Sequence, residues 1–212
     1  MAYTDMLFAD CVTHDERESF IELVAYWAFT QWPAARRNGQ LLGLAGRISY
    51  FRDLLHANPA VVSILMFTTL DRDGVTVTLP IGYTAIYPEL TEVGRDHFGG
   101  IFSQYRLNED HIHRTALAGT IDYFYFQAIL LDPGFQGSRH LSALLDMAKR
   151  QMKKLGTHEN RDALIFAEMF DDRIKKTLEA KNWAVGPERS KDGHLLAYTQ
   201  VRRLLDGDKW TV

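Results

Sequence analysis

The sequence predicts an α/β fold, a mixed and mostly antiparallel twisted sheet flanked by helices in a single domain, and three observations carry that reading. Two stretches of helical periodicity precede the long β-rich runs. Two β-branched and aromatic runs, 61–70 and 75–87, are joined by Asp71-Arg72-Asp73-Gly74, whose Asp-Gly suits a tight hairpin. Finally, 121–131 is nearly continuous in apolar and aromatic residues, as expected of a central strand covered on both faces, and passes through Pro133-Gly134 into an amphipathic helix.

In chain order, residues 6–12 read as a first strand. Thr13 and Glu16 have the spacing of a capping box, so a helix should start at His14. Its apolar positions Phe20, Ile21, Val24, Trp27 and Ala28 recur at helical spacing, and Trp32-Pro33 ends it. Leu41, Leu44, Ala45, Ile48, Phe51 and Leu55 mark a second helix stopped by Asn58-Pro59. The hairpin follows, and 88–120, rich in Gly, His and charge, reads as an irregular insertion over the sheet. After the central strand, Leu141, Leu144, Leu145, Ala148, Met152 and Leu155 form the buried stripe of a helix that Gly156 should stop. The remainder reads as a strand at 163–170, a short helix at 171–181, a strand end at 183–185, a polar turn and a closing strand at 194–201.

Composition excludes several classes. The chain has 212 residues, 46% of them hydrophobic, enough to bury a core of its own. A net charge of −3 gives no general pull towards nucleic acid. The single cysteine, Cys11, has no internal disulfide partner, the N-terminus lacks a signal-peptide pattern, and no run is long enough to span a membrane. A cytoplasmic protein that binds neither nucleic acid nor membrane is expected. Asp110, His111 and His113 could approach one ion, but nothing completes the cluster, so no metal is expected. Cys11 near His14 lacks a third group for nucleophilic catalysis.

The strand-to-helix junction DPGFQGSRHLSALL, residues 132–145, carries the first chemistry. A helix start has unpaired N–H donors and the positive end of the helix dipole, so this junction is a natural seat for a phosphate.

Taken with the element order, that junction resembles the GCN5-related N-acetyltransferase (GNAT) superfamily over nearly the whole chain. In that family the fourth strand ends in an apolar segment and a Pro-containing turn, followed by Gln or Arg, two residues, Gly, one residue, and Gly or Ala. LLDPGFQGSRHLSALL is similar to this, with Gln136 first. AEMFDDRIKKTLEAKNWAV resembles the second family signature, with Asp171 at its Asn position, Leu178 at its Tyr, Asn182 at its Gly and Trp183 at its Phe. The chain departs from the pattern at Arg139 and Leu141, where the family prefers glycine, and at Leu178, which has no proton to give a departing thiolate.

The resemblance implies an acyl-CoA-dependent N-acyltransferase using acetyl-CoA or another acyl-CoA as cosubstrate, with the amine attacking directly. Backbone groups of Ile129, Leu130 and Leu131 would pair with the pantetheine arm. Gln136, Gly137, Ser138, Arg139, His140, Leu141 and Ser142, with Asp171, would hold the coenzyme. Glu168 is the preferred catalytic carboxylate, and Tyr125 falls where some relatives carry a basic glutamate. Trp27, Trp32, Tyr50, Phe51 and Tyr123 would shape the pocket for the acceptor, a small-molecule or protein amine; a homodimer is left open. The alternative is a non-catalytic GNAT-like module that senses coenzyme A or binds a protein.

Overall fold

The computed structural model describes residues 2–33, 36–37, 40–114, 121–135, 137–155, 162–169, 176, 178–179 and 183–206. Its first strand, β1 (Ala2–Leu7), lies earlier than the sequence predicts. The chain turns at Leu7, where the backbone N–H donates to Asp10 Oδ2 at 2.8 Å and a short 3-10 turn, Phe8–Asp10, takes over. Helix α1 (His14–Gln31) starts where expected. Thr13 Oγ1 accepts from Glu16 N, and the Glu16 carboxylate accepts in return from Thr13 N.

Two short strands, β2 (Arg36–Arg37) and β3 (Gln40–Leu41), pair before α2 (Leu44–Ala57). Leu41 is exposed and outside the helix, although its spacing matches the buried stripe. Arg47 fastens the two helices. Its buried guanidinium donates to the carbonyls of Ala28 and Trp32 at the end of α1, and to Leu42 O.

Strands β4 (Val62–Leu70) and β5 (Thr76–Glu89) form the expected hairpin. Asp71 Oδ1 accepts from Asp73 N and Val75 N, and Gly74 takes φ +77°, the left-handed conformation such a turn needs. Helix α3 (Thr91–Phe98) then lies against β6 (Tyr123–Leu131). Gly94 makes that approach feasible, because a Cβ there would overlap the Tyr123 side chain. Residues 88–113 are thus more ordered than the composition suggests: α3 is followed by 3-10 turns at Gln104–Arg106 and Glu109–His111.

Helix α4 (Ser138–Lys154) follows β6. The chain continues through β7 (Leu164–Met169), β8 (Ala184–Arg189) and β9 (Leu195–Gln200), and ends its described part in α5 (Val201–Asp206), a helix the sequence reading does not expect and whose first residue, Val201, it gives to the closing strand. Strand β8 runs into the segment expected to be a turn, with a bulge between Val185 and Arg189 absorbing the irregularity. The expected Gly156 stop and most of the short helix at 171–181 lie outside the described residues.

Seven strands form one sheet in the order β1-β4-β5-β6-β7-β9-β8. Every neighbouring pair is antiparallel except β6–β7, which is parallel. The mixed, mostly antiparallel sheet flanked by helices is the architecture the sequence predicts. On one face β5 presents Tyr83, Ala85, Tyr87 and Glu89 by strand alternation, and Trp27 of α1 stacks on Tyr83 at 6.0 Å. On the other, Thr84 Oγ1 donates to Gln151 of α4, and Leu65, Phe67 and Ile81 cluster with Leu144 and Met147. No described helix is long and apolar enough to cross a membrane.

Candidate functional site

The central feature is a fork between β6 and β7. Their parallel pairing covers only Tyr123↔Leu164, Phe124↔Ile165 and Tyr125↔Phe166. Beyond it β6 continues to Leu131 paired with β5 alone, while Ala167, Glu168 and Met169 pair only with β9. Residues 126–131 therefore have an edge that β7 leaves uncovered, in the middle of a sheet. Along this segment Ile129 is 37% exposed on an interior strand, between the buried Ala128 and Leu130. A bulge near the fork's apex steps the register from Ala85↔Ala128 to Ile86↔Phe126 and leaves Gln127 as the extra residue. Its Oε1 is buried without a hydrogen-bond partner among the described residues.

The open edge leads to the start of α4. Gly137 is the N-cap and makes no side-chain cap hydrogen bond, so the first-turn backbone donors have no cap from it. A Cβ at Gly137 would meet nothing within 4 Å, which leaves the approach clear. Arg139 lies at the surface with its guanidinium 5.8 Å from the Tyr3 ring centroid. His140 sits among the rings of Tyr3, Phe67 and Phe135, with Nδ1 3.1 Å from the Tyr3 hydroxyl. Leu141 continues the helix through its N–H bond to Gly137 O, and Ser142 is half-buried in the first turns. Donors, a fixed positive charge and open space fit an anion such as a pyrophosphate. Gln136 and Asp171, and the side chain of Ser138, lie outside what is described.

At the closed end of the fork the structure joins residues that the sequence reading kept apart. His97, from α3, has Nδ1 2.8 Å from Glu89 Oε1 and Nε2 3.1 Å from Glu168 Oε1, and all three side chains are fully buried. Glu168 Oε2 accepts from Ser190 Oγ at 2.8 Å and from Gln104 Nε2 at 3.2 Å. Tyr125 donates its hydroxyl to Gln104 Oε1 at 2.8 Å. Burial works against the His97 proton, but the hydrogen bonds to Glu168 and Glu89 outweigh it and push the imidazole up to about 9. Burial also raises the Glu89 carboxyl, partly offset by His97, and holds the Tyr125 phenol well above its usual range.

Glu168 and Tyr125 are therefore brought together, through Gln104, but as buried hydrogen-bonded groups rather than side chains open to a substrate. His97, Glu89, Gln104 and Ser190 are absent from the sequence-based site. A signal for two of them was present. Glu89 closes a long apolar strand, and His97 falls on the same α3 face as Val93, Gly94 and Phe98.

The acceptor-side residues are distributed differently. Trp27 is buried and donates its indole N–H to Asp132 Oδ2 at 3.2 Å. Phe51 is buried with Tyr50 edge-on at 5.3 Å; Trp32 is partly buried against the core; Tyr123 lies beneath α3. Asp110 pairs with Arg114, and His111 Nδ1 accepts from Asn108 N. No cluster able to hold a metal occurs among the described residues. Cys11 is buried with its thiol raised, chiefly by burial.

No protein-family model matches the sequence, and no curated protein matches it. Solved structures do share the fold. Apo FdhC, a nucleotide-linked sugar GNAT, is 9% identical, with 96% of this chain and 89% of that one covered at a TM-score of 0.53. Mutant forms of the spermidine/spermine N-acetyltransferase SpeG from Vibrio cholerae are 9% identical, covering 98% and 100% at 0.50. The C-terminal condensation domain of Ebony, in complex with β-alanyl-dopamine, is 7% identical, covering 94% and 99% at 0.50. The chain has the GNAT fold, spanning nearly its full length, at a sequence identity that marks wide divergence.

Proposed function

We propose that the protein is an acyl-CoA-dependent N-acyltransferase that transfers acetyl from acetyl-CoA to an amine by direct attack. One observation carries this reading: an interior strand edge, 126–131, is left open by β7 and leads to an uncapped helix start. On this reading backbone groups of Ile129, Leu130 and Leu131 pair with an amide-bearing arm, and the first turn of α4, with Arg139, holds the phosphates. The cosubstrate supplies an activated acyl group. The protein's own contribution is then orientation, which can lower such a barrier by roughly 7–11 kcal/mol. Glu168, held by three donors, suits maintaining the polar wall at the fork better than taking a proton directly from the acceptor. The neutral Tyr125 phenol acts as a donor within that wall.

The burial of both Glu168 and Tyr125 favours one other reading, a module that binds coenzyme A without catalysis. Calorimetry with acetyl-CoA, followed by a thioester-loss assay across small amines, amino acids and lysine peptides, separates them. Binding with amine-dependent thioester loss supports the transferase. Binding without loss supports the sensor, and no binding at about millimolar ligand, a free energy near −4 kcal/mol, overturns both.

A further inference from the structure

Gln104 crosses the fork at its apex. Its amide oxygen accepts from Tyr125, the last residue of β6 paired with β7, and its amide nitrogen donates to Glu168 of β7, two residues past that pairing. The side chain thus links the two strands where they begin to part. Its orientation is fixed from both sides, because Glu168 needs a donor and the Tyr125 hydroxyl already supplies one to Oε1. Its backbone is fixed too: Gln104 N donates to Asp192 Oδ2 at 3.1 Å, and the preceding Ser103 hydroxyl donates to Asp192 Oδ1 at 2.7 Å. Behind it, Glu168 is anchored by Ser190 and by His97, itself held by Glu89.

A ligand lying along 126–131 with its anionic end at α4 has roughly 20 Å of strand edge to follow before this apex. What its far end meets there is the Gln104 amide, bonded on one side to the Tyr125 phenol and on the other to the buried Glu168 carboxylate. The shorter the acyl group, the less it intrudes on these bonds. A longer hydrocarbon must break these bonds in a buried site, where orphaned polar groups weaken binding by about tenfold or more.

We propose that Gln104 sets the acyl length of the cosubstrate, closing the fork against chains much longer than acetyl. The inference rests on the coenzyme A reading above and adds to it the residue that limits the acyl group to a short chain. Calorimetry tests it on the whole protein, with free coenzyme A, acetyl-CoA and hexanoyl-CoA as the probes. The wild type should bind acetyl-CoA about tenfold more tightly than hexanoyl-CoA, and Gln104→Ala should bring the two within about threefold while leaving free coenzyme A unchanged. Tyr125→Phe keeps the ring and removes the hydroxyl that orients Gln104, so it should narrow the same gap less, and it serves if Gln104→Ala fails to fold. Equal wild-type affinity for both acyl-CoAs, or a preference unmoved in the folded variants, overturns the proposal while leaving coenzyme binding intact. If free coenzyme A also fails to bind the wild type, the coenzyme reading falls and the acyl-length proposal with it.

Discussion

The two halves of β6 differ although they belong to one continuous strand. Residues 123–125 have neighbours on both edges, β5 and β7, and face a buried network of charge and hydrogen bonds. Among the described strands, residues 126–131 have β5 alone; they carry the half-exposed Ile129 and lead to a helix whose N-cap, Gly137, makes no side-chain cap hydrogen bond. The closed half is tied along both edges, and the open half has an edge that no described strand pairs. A strand edge in mid-sheet normally invites pairing, so leaving one open is useful only if something else pairs with it. The difference teaches that the departure of β7 divides one strand into a doubly paired half and a singly paired half, and the proposed coenzyme seat uses the second.

Variants should therefore separate into those that cost stability and those that cost ligand. The largest effect is expected from His97→Ala, which leaves Glu89 and Glu168 as uncompensated buried carboxylates; breaking a buried pair costs about 3–5 kcal/mol, measurable by urea denaturation. The same triad makes stability depend on pH. The folded protein holds the His97 proton more tightly than the unfolded chain, so its contribution is fully present below pH 6.5 and is lost as pH rises through about 9. Glu89 acts in the same direction, since its raised carboxyl binds a proton more tightly when folded. Thermal midpoints of the wild type should fall across that window, and a flat profile would remove the charged triad from the account.

Gly94→Ala comes next. Its Cβ would overlap Tyr123 and force α3 away from the closed half, costing about 1–3 kcal/mol. Gly137→Pro acts on the ligand side: it removes a backbone donor and, because Gly137 has φ 167°, alters the entry to α4, weakening acetyl-CoA by about tenfold as measured by calorimetry. Tyr125→Phe should have the smallest effect on stability, about 1 kcal/mol for one lost hydrogen bond, seen as a lower urea midpoint at unchanged slope.

Much of the fold was legible because local signals and tertiary packing agree. The Thr13–Glu16 box, the Asp71–Gly74 hairpin and the stripe Leu144, Leu145, Ala148 and Met152 each require the residues found there. The early turn after Leu7 was not legible, since Phe8 and Cys11 are buried without belonging to a strand, and burial alone mimics strand periodicity. At the site, the proposed anion seat rests on a contiguous motif. The buried network does not. Glu89, His97, Gln104, Tyr125, Glu168 and Ser190 come from separate parts of the chain, and only the folding of α3 and the β8–β9 turn onto the sheet brings them together.

Hydrogen–deuterium exchange with and without acetyl-CoA tests the division of β6 most directly. Addition of the ligand should slow exchange within 126–131 and at the first turn of α4, and leave 123–125, already protected by two neighbouring strands, unchanged. Bound ligand with no added protection along 126–131, or protection confined to other elements, would contradict the assignment of the open half as the coenzyme seat.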